Sequence, residues 1–120
     1  RQKTDEEYAD DFVQFLGDSS ATVLVDPSAA SFIVALRQRG IYVCEADNDV
    51  LDGIRRMSVL IKRRELLVNE RCSGFLDEIG TYIWDEKAAA RGEEKPVKQS
   101  DHAMDSCRYF CNYLPDWRFE

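Results

Sequence analysis

The sequence is poor in several residue types and patterns, and each shortage excludes a class of protein. It has one histidine and four cysteines in 120 residues, with no C-x-x-C pair, which argues against a zinc site and a disulfide framework. No apolar run is long enough to cross a bilayer, and no signal-peptide pattern is present. The chain has 16 basic and 23 acidic residues, which argues against a basic surface that coats nucleic acid along its length.

The residues that are present describe a globular chain. Hydrophobic residues make up 44% and charged residues 32% of the 120 positions, which is enough for one domain, or part of one, with a real core. The net charge of -7 still permits a nuclease, because a metal site needs clustered carboxylates and contacts with DNA are local. The cysteines lie within apolar patterns and are predicted to be buried free thiols of a reducing cytoplasm: Cys44, Cys72, Cys107 and Cys111.

A predicted helix near the end of the chain carries the main chemical signal. At 100° per residue its apolar side holds Ala103, Met104, Cys107, Phe110, Cys111 and Leu114. Asp101, His102 and Asp105 share another side at the start of this helix. Carboxylates that lie so near to each other repel unless a positive charge lies between them, and a divalent cation would supply that charge. A solvated acidic first turn, favoured by the helix dipole, is the alternative.

The rest of the pattern predicts alternating helices and short strands. Thr4 and Glu7 form a capping box for a first helix over 5–16. A β-branched run predicts a strand over 22–25, followed by a helix over 28–39 and a second strand over 41–44. This order implies a parallel pair with a right-handed crossover. A third helix reaching residue 64, a third strand over 65–68 near a sheet edge and a fourth helix over 71–83 follow.

Asp26 has two possible roles. It ends the first predicted strand, where open α/β sheets place their ligands. Equally, it is suited to cap the next helix, with Pro27 at the first helical position. The acidic run 46–53 does not have the spacing of an EF-hand loop. It is interpreted as the start of the third helix, with Asn48 or Asp47 as the cap.

Basic residues cluster in two places. Lys62, Arg63 and Arg64 end the third helix, where they complement its dipole, although a helix this basic also suits phosphate. The segment 85–99 is predicted to be a loop or loose hairpin, and its cations are the candidates for contacts with DNA: Lys87, Arg91, Lys95 and Lys98. A solvated excursion explains this segment as well. Residues 115–120 are predicted to be a tail.

Several stretches together resemble one family, the C-terminal nuclease domain of tailed-phage terminase large subunits. They are VDPSAAS at 25–31, ADNDV at 46–50 with Gly53 and Ile54, YIWD at 82–85, and KQSDHAMD at 98–105 with Arg108 and Tyr109. The DHAMD-x-x-RY run is the most specific of these, and the resemblance extends from the first helix to Tyr113.

The resemblance implies an α/β, ribonuclease H-like fold and a metal-dependent endonuclease that cuts concatemeric viral double-stranded DNA by two-metal hydrolysis. It implies that Asp26, His102 and Asp105 are catalytic and bind two divalent cations, Mg²⁺ or Mn²⁺, with Asp101 as a secondary ligand. The implied partners are double-stranded DNA, the portal protein, the small terminase subunit and an ATPase domain in the same polypeptide. The implied location is the cytoplasm of a bacterial host.

The sequence departs from the family pattern at its front. The family's fold opens with three antiparallel strands, the first carrying another metal-binding Asp, whereas this chain begins at the helix that follows them. We therefore expect residues 1–120 to be a single-domain fragment of the nuclease domain that lacks one carboxylate. An uncovered strand edge predicts self-association. A non-catalytic module that docks on DNA or the portal, and a ribonuclease H-like resolvase or transposase, are the alternatives.

Overall fold

The structure is a computed structural model that describes residues 2–80 and 102–120. In order, its elements are α1 (Asp5–Leu16), β1 (Val23–Val25), α2 (Ala30–Gln38), β2 (Val43–Glu45), α3 (Val50–Lys62), α4 (helical over 73–80), α5 (His102–Tyr113) and a 3₁₀ helix (Asp116–Phe119). The chain divides into two compact units, Arg1–Asp47 and Asn48–Glu120. The α/β class with short parallel strands and flanking helices is confirmed, whereas the ribonuclease H-like fold and the single domain stay predictions.

The first helix forms where the sequence predicts it. The Thr4 hydroxyl accepts a hydrogen bond from the Glu7 amide at 3.1 Å, and the Glu7 carboxylate accepts one from the Thr4 amide at 3.5 Å. This capping box satisfies two backbone donors that the first turn leaves without helical partners. The helix ends at Gly17, whose φ of 53° favours glycine and whose amide donates to Val13 O.

The two strands pair in parallel, as predicted, with Val23 opposite Val43 and Val25 opposite Glu45. The second strand begins two residues later than predicted. The Ile41 amide donates to Leu36 O at 3.2 Å, and Gly40 turns the chain with a φ of 79°. Ile41 therefore helps to close the end of α2 and is not available to the sheet.

The core of the first unit lies between the sheet and helices α1 and α2. Its buried residues are Ala9, Val23, Ile33, Ala35, Leu36 and Val43. The apolar stripe predicted for α1 is only partly covered, since Tyr8 is 47% and Phe15 is 84% exposed. Arg39 at the end of α2 binds Glu6 and Asp10 of α1 at 3.0 and 2.7 Å, which ties the two helices together at their polar edge.

The predicted cap of α3 is wrong by one or two residues. Asp49 is the cap, and its carboxylate accepts a hydrogen bond from the Asp52 amide at 2.8 Å. The amide side chain of Asn48, one of the two predicted caps, instead accepts a hydrogen bond from Arg108. Arg108, 60 residues away along the chain, therefore binds the Asn48 side chain that the local sequence pattern predicts to cap α3.

The predicted third strand over 65–68 is also wrong, since these residues have no strand conformation. Arg64 adopts a left-handed conformation with a φ of 60°. The Glu65 and Leu66 amides then both donate to Leu60 O, at 2.9 and 3.2 Å. These donors close the end of α3, and Leu67 is 82% exposed.

The second unit has its own core, formed mainly where α3 packs against α5. The buried residues are Ile54, Met57, Leu60, Phe75, Met104 and Cys111. Val50, predicted on the apolar line of α3, is 47% exposed. Of α4, predicted over 71–83, residues 73–80 are helical and 81–83 lie outside the described residues.

The predicted tail contains the 3₁₀ helix and packs on α3. Arg56 binds the carboxylate of Asp116 and lies 4.6 Å from the centre of the Phe119 ring. Phe119 in turn packs against the core of the second unit. The end of the chain therefore contributes to this unit.

The prediction of four buried thiols is wrong in most positions. Cys111 is buried, Cys44 and Cys107 are half-buried, and Cys72 is exposed. Cys72 precedes the helical residues of α4, so helical periodicity does not apply to it. Across the described ranges, no helix combines the length and the apolar character needed to cross a membrane.

Candidate functional site

Asp26 lies directly after β1, at the carboxyl edge of the sheet, and is half-buried. Its Oδ1 accepts a hydrogen bond from the Ser28 amide at 2.9 Å, and its carbonyl accepts one from Ala29 at the same distance. These two bonds make a tight turn in which the aspartate side chain fixes the backbone. Because α2 begins at Ala30 with Ala29 as its cap, the alternative in which Asp26 caps the helix and Pro27 opens it is wrong.

A second carboxylate residue reaches the same edge of the sheet. Glu45 is paired in register with Val25, the residue before Asp26, and Glu45 is exposed. The Ala46 amide donates to Val25 O at 2.8 Å and extends the pairing by one step. Sequence analysis missed this neighbour because the predicted strand ended at residue 44, whereas the observed strand extends to Glu45.

The start of α5 is held by an acidic residue from α4. The Met104 amide donates to Glu78 Oε1 at 3.1 Å. This carboxylate satisfies a donor of the first turn and complements the positive end of the helix dipole. His102, the first residue of α5, is exposed, and its carbonyl accepts a hydrogen bond from the Ser106 hydroxyl at 3.0 Å. Glu78 is a second acidic residue near this helix start that sequence analysis did not identify.

Asp105 lies one turn into α5 and is paired with an arginine of the same helix. Its Oδ1 accepts a hydrogen bond from Arg108 Nη2 at 2.9 Å. Its side chain is 29% exposed, and no hydrogen bond reaches its Oδ2 from the described residues. The carboxylate therefore already has a positive partner, so repulsion among the acids does not by itself require a cation.

Arg108 is the residue of this region that sequence analysis missed. It is only 3% exposed, and its Nη1 donates to Asn48 Oδ1 at 2.8 Å. Its side chain passes Gly53 of α3 so closely that a β-carbon there would lie 2.0 Å from its Cγ. A buried charge needs partners, and Asn48 and Asp105 provide them. The available signal was the arginine of the DHAMD-x-x-RY run, three residues after the aspartate.

The structure places the described members of the predicted site in two units. His102 and Asp105 share the first turns of α5 in the second unit, and Asp26 belongs to the first unit. Neither unit contains, among its described residues, a group of three or more His, Cys, Asp or Glu side chains able to hold a metal ion. The other predicted site residues lie outside the described ranges: Asp101, Lys87, Arg91, Lys95 and Lys98. The metal site and the DNA contacts therefore stay predictions.

The donors at α5 are one carboxylate and one imidazole. The Asp105 carboxylate oxygen suits Mg²⁺ or Mn²⁺, whereas the exposed His102 imidazole is a ligand more typical of transition metals. The Cys111 thiol is poorly suited, because a hydrogen bond with Cys107 and burial raise its pKa above the ordinary value. A thiol that stays protonated is a poor metal ligand.

Comparison with known proteins adds information that the geometry does not contain. No protein-family model and no curated protein matches the sequence. A solved structure of the large terminase from the thermophilic bacteriophage D6E is 49% identical, with a TM-score of 0.78 over 95% of this chain. The chain is similar to part of a phage large terminase. The same protein in complex with ADP gives 49% identity and a TM-score of 0.78, and another crystal form gives 50% and 0.78.

The similarity covers nearly all of this chain but a minor part of the D6E protein. The matched region is 95% of this chain and 30% of the D6E large terminase. The chain therefore spans less than a third of that protein's length. The similarity supports the interpretation of the chain as a terminase large subunit fragment.

Proposed function

We propose that this chain is part of the nuclease domain of a phage DNA-packaging terminase large subunit, which cuts concatemeric double-stranded DNA. The observation that carries the proposal is the 49% identity to the D6E large terminase over 95% of the chain. The D6E protein was crystallised with ADP, so an ATPase segment is the competing assignment. The 120 residues contain no G-x-x-x-x-G-K-[ST] phosphate loop. This favours the nuclease, to which the DHAMD-x-x-RY resemblance also points.

The described residues provide suitable groups for metal-dependent hydrolysis of a phosphodiester. Asp26 at the sheet edge and Asp105 on α5 would hold the cations, and His102 would complete one site or orient a water or phosphate. Two divalent cations supply an activated water and stabilise charge on the leaving oxygen. The role of Asp26 is to present its carboxylate to a cation from a fixed turn, since the Ser28 and Ala29 amides hydrogen-bond to Asp26. The role of Asp105 is to present an oxygen that no hydrogen bond from the described residues occupies.

The test is plasmid nicking by the full-length protein with Mg²⁺ or Mn²⁺. Asp26→Asn and Asp105→Asn each remove a proposed ligand charge, and each is expected to reduce cleavage by about 100-fold in protein whose circular dichroism spectrum matches the wild type. Asp52→Asn is the matched control, because Asp52 is a half-buried, ion-paired aspartate of α3 with no proposed catalytic role. Cleavage at the wild-type rate by Asp105→Asn would contradict the assignment.

A non-catalytic docking function is the second candidate. Titration with Mn²⁺ by calorimetry, followed by the nicking assay, separates the two functions. A docking module is expected to bind DNA or portal protein without taking up Mn²⁺, whereas the nuclease is expected to bind Mn²⁺ and to lose that binding with Asp105→Asn.

A further inference from the structure

Arg108 and Asp105 form a pair whose geometry restricts how the carboxylate can bind a cation. Arg108 Nη2 occupies Oδ1 of Asp105 at 2.9 Å, and Arg108 Nη1 is held at 2.8 Å by Asn48 Oδ1. The guanidinium is planar, so fixing one nitrogen on Asn48 also fixes the direction of the other. The Arg108 side chain is 4% exposed, and Gly53 lets its stem lie directly on α3. Arg108 therefore fixes the orientation of the Asp105 carboxylate.

We propose that Arg108 is a positioning residue that makes Asp105 a one-oxygen ligand and thereby selects against calcium. This inference rests on the proposed function, in which Asp105 binds a divalent cation. With Oδ1 engaged by Arg108, Oδ2 is the oxygen that Asp105 would offer most readily to a cation. Mg²⁺ is satisfied by single oxygens in a near-octahedral arrangement, and Mn²⁺ also suits octahedral oxygen sites. Ca²⁺ takes six to eight oxygens and often uses both oxygens of one carboxylate, an arrangement that the hydrogen bond from Arg108 to Oδ1 disfavours.

Charge and geometry act in opposite directions when Arg108 is replaced. Loss of the guanidinium removes a positive charge close to the cation, which strengthens the binding of every divalent ion by a similar factor. Loss of the hydrogen bond from Arg108 also frees Oδ1, which strengthens the binding of Ca²⁺ more than that of Mn²⁺. The ratio of the Ca²⁺ and Mn²⁺ dissociation constants cancels the shared charge effect. A change in this ratio therefore reports that Arg108 positions Asp105. If Arg108 only stabilised the fold, its replacement would leave the ratio unchanged.

The experiment measures both dissociation constants on the full-length protein, Mn²⁺ by electron paramagnetic resonance and Ca²⁺ by competition with Mn²⁺. For Arg108→Met, which keeps the aliphatic stem, the ratio of the Ca²⁺ to the Mn²⁺ constant is expected to fall about ten-fold. Arg56→Met is the matched control. Arg56 has an 11% exposed side chain paired with Asp52 and Asp116 in the same unit, and its replacement is expected to leave the ratio unchanged.

Arg108→Lys is a second variant, which keeps the experiment decisive if Arg108→Met does not fold. It retains the charge and the stem, but a single ammonium lacks the fixed fork that holds Asn48 and Asp105 together. The ratio is expected to fall in this variant too, by a smaller factor. An unchanged ratio in folded Arg108→Lys or Arg108→Met overturns the selectivity proposal alone. A wild-type protein that binds neither ion, or whose Mn²⁺ affinity is unaffected by Asp105→Asn, overturns the proposed function as well.

Discussion

Replacing Gly53 with alanine tests the packing of α3 against α5 with a single methyl group. A β-carbon at Gly53 would lie 2.0 Å from Arg108 Cγ, 2.7 Å from Arg108 Cδ and 3.1 Å from Asn112 Nδ2. Because Cγ is close to the backbone of α5, the arginine cannot avoid the methyl group by moving only its tip. Either the side chain takes another rotamer or the two helices move apart.

Two effects of opposite sign set the magnitude. Alanine favours a helix over glycine by about 1 kcal/mol. Overpacking costs about 1–3 kcal/mol, and loss of the hydrogen bond from charged Arg108 to Asn48 costs about 1.5–3 kcal/mol. Packing and hydrogen bonding outweigh the helix preference, so we expect Gly53→Ala to lower the free energy of unfolding by about 2–4 kcal/mol.

The assay is urea denaturation followed by circular dichroism, with Gly74→Ala as the matched control. Gly74 is a helical glycine of α4 whose added β-carbon would meet nothing within 4 Å, so this change is expected to stabilise by up to about 1 kcal/mol. In an Arg108→Ala background the obstructing Cγ is absent, and Gly53→Ala is expected to lose most of its cost. If Gly53→Ala is as stable as Gly74→Ala, or keeps its full cost without Arg108, the close approach of α3 and α5 is refuted.

Two further predictions concern the helix starts. Thr4→Ala removes the capping box of α1 and is expected to cost about 1 kcal/mol in urea denaturation, whereas a cost equal to that of an exposed Ser20→Ala control would contradict the capping role. Hydrogen bonds from Arg55 and then Arg56 lower the pKa of Asp52. The contribution of Asp52 to stability is therefore fully present above the ordinary carboxyl pKa of about 4, and it is lost as the pH falls through the lowered pKa. Asp52→Asn is therefore expected to flatten the acid limb of the stability profile, and a limb as steep as the wild type would refute this.

The elements that the sequence predicted well are those whose signals are local. The capping box at Thr4 and Glu7 and the apolar spacing behind it lie within one helix, and α1 has the predicted bounds. Strand, helix and strand in succession predicted a parallel pair because the connection is too long for a hairpin. The predicted strand at 65–68 failed because its amides close the end of α3. Apolar content alone does not show where those donors go.

The candidate site shows the same division. The patch formed by His102 and Asp105 follows from helical spacing, whereas the turn that Asp26 makes with the Ser28 amide was not predicted. Neither pattern indicated that a buried arginine supplies the partner of Asp105. That requires Asn48, which precedes α3 and lies 60 positions from Arg108 in the sequence.

The sequence by itself determined the class of the chain and the position of most helices, because periodicity and capping act over a few residues. Tertiary structure decided which charges are paired and which oxygen of Asp105 is occupied. The physical reason is burial: Arg108 needs partners only because packing against Gly53 removes it from water. A residue's partners in a folded core are set by which helices meet, and that information is distributed over the whole chain.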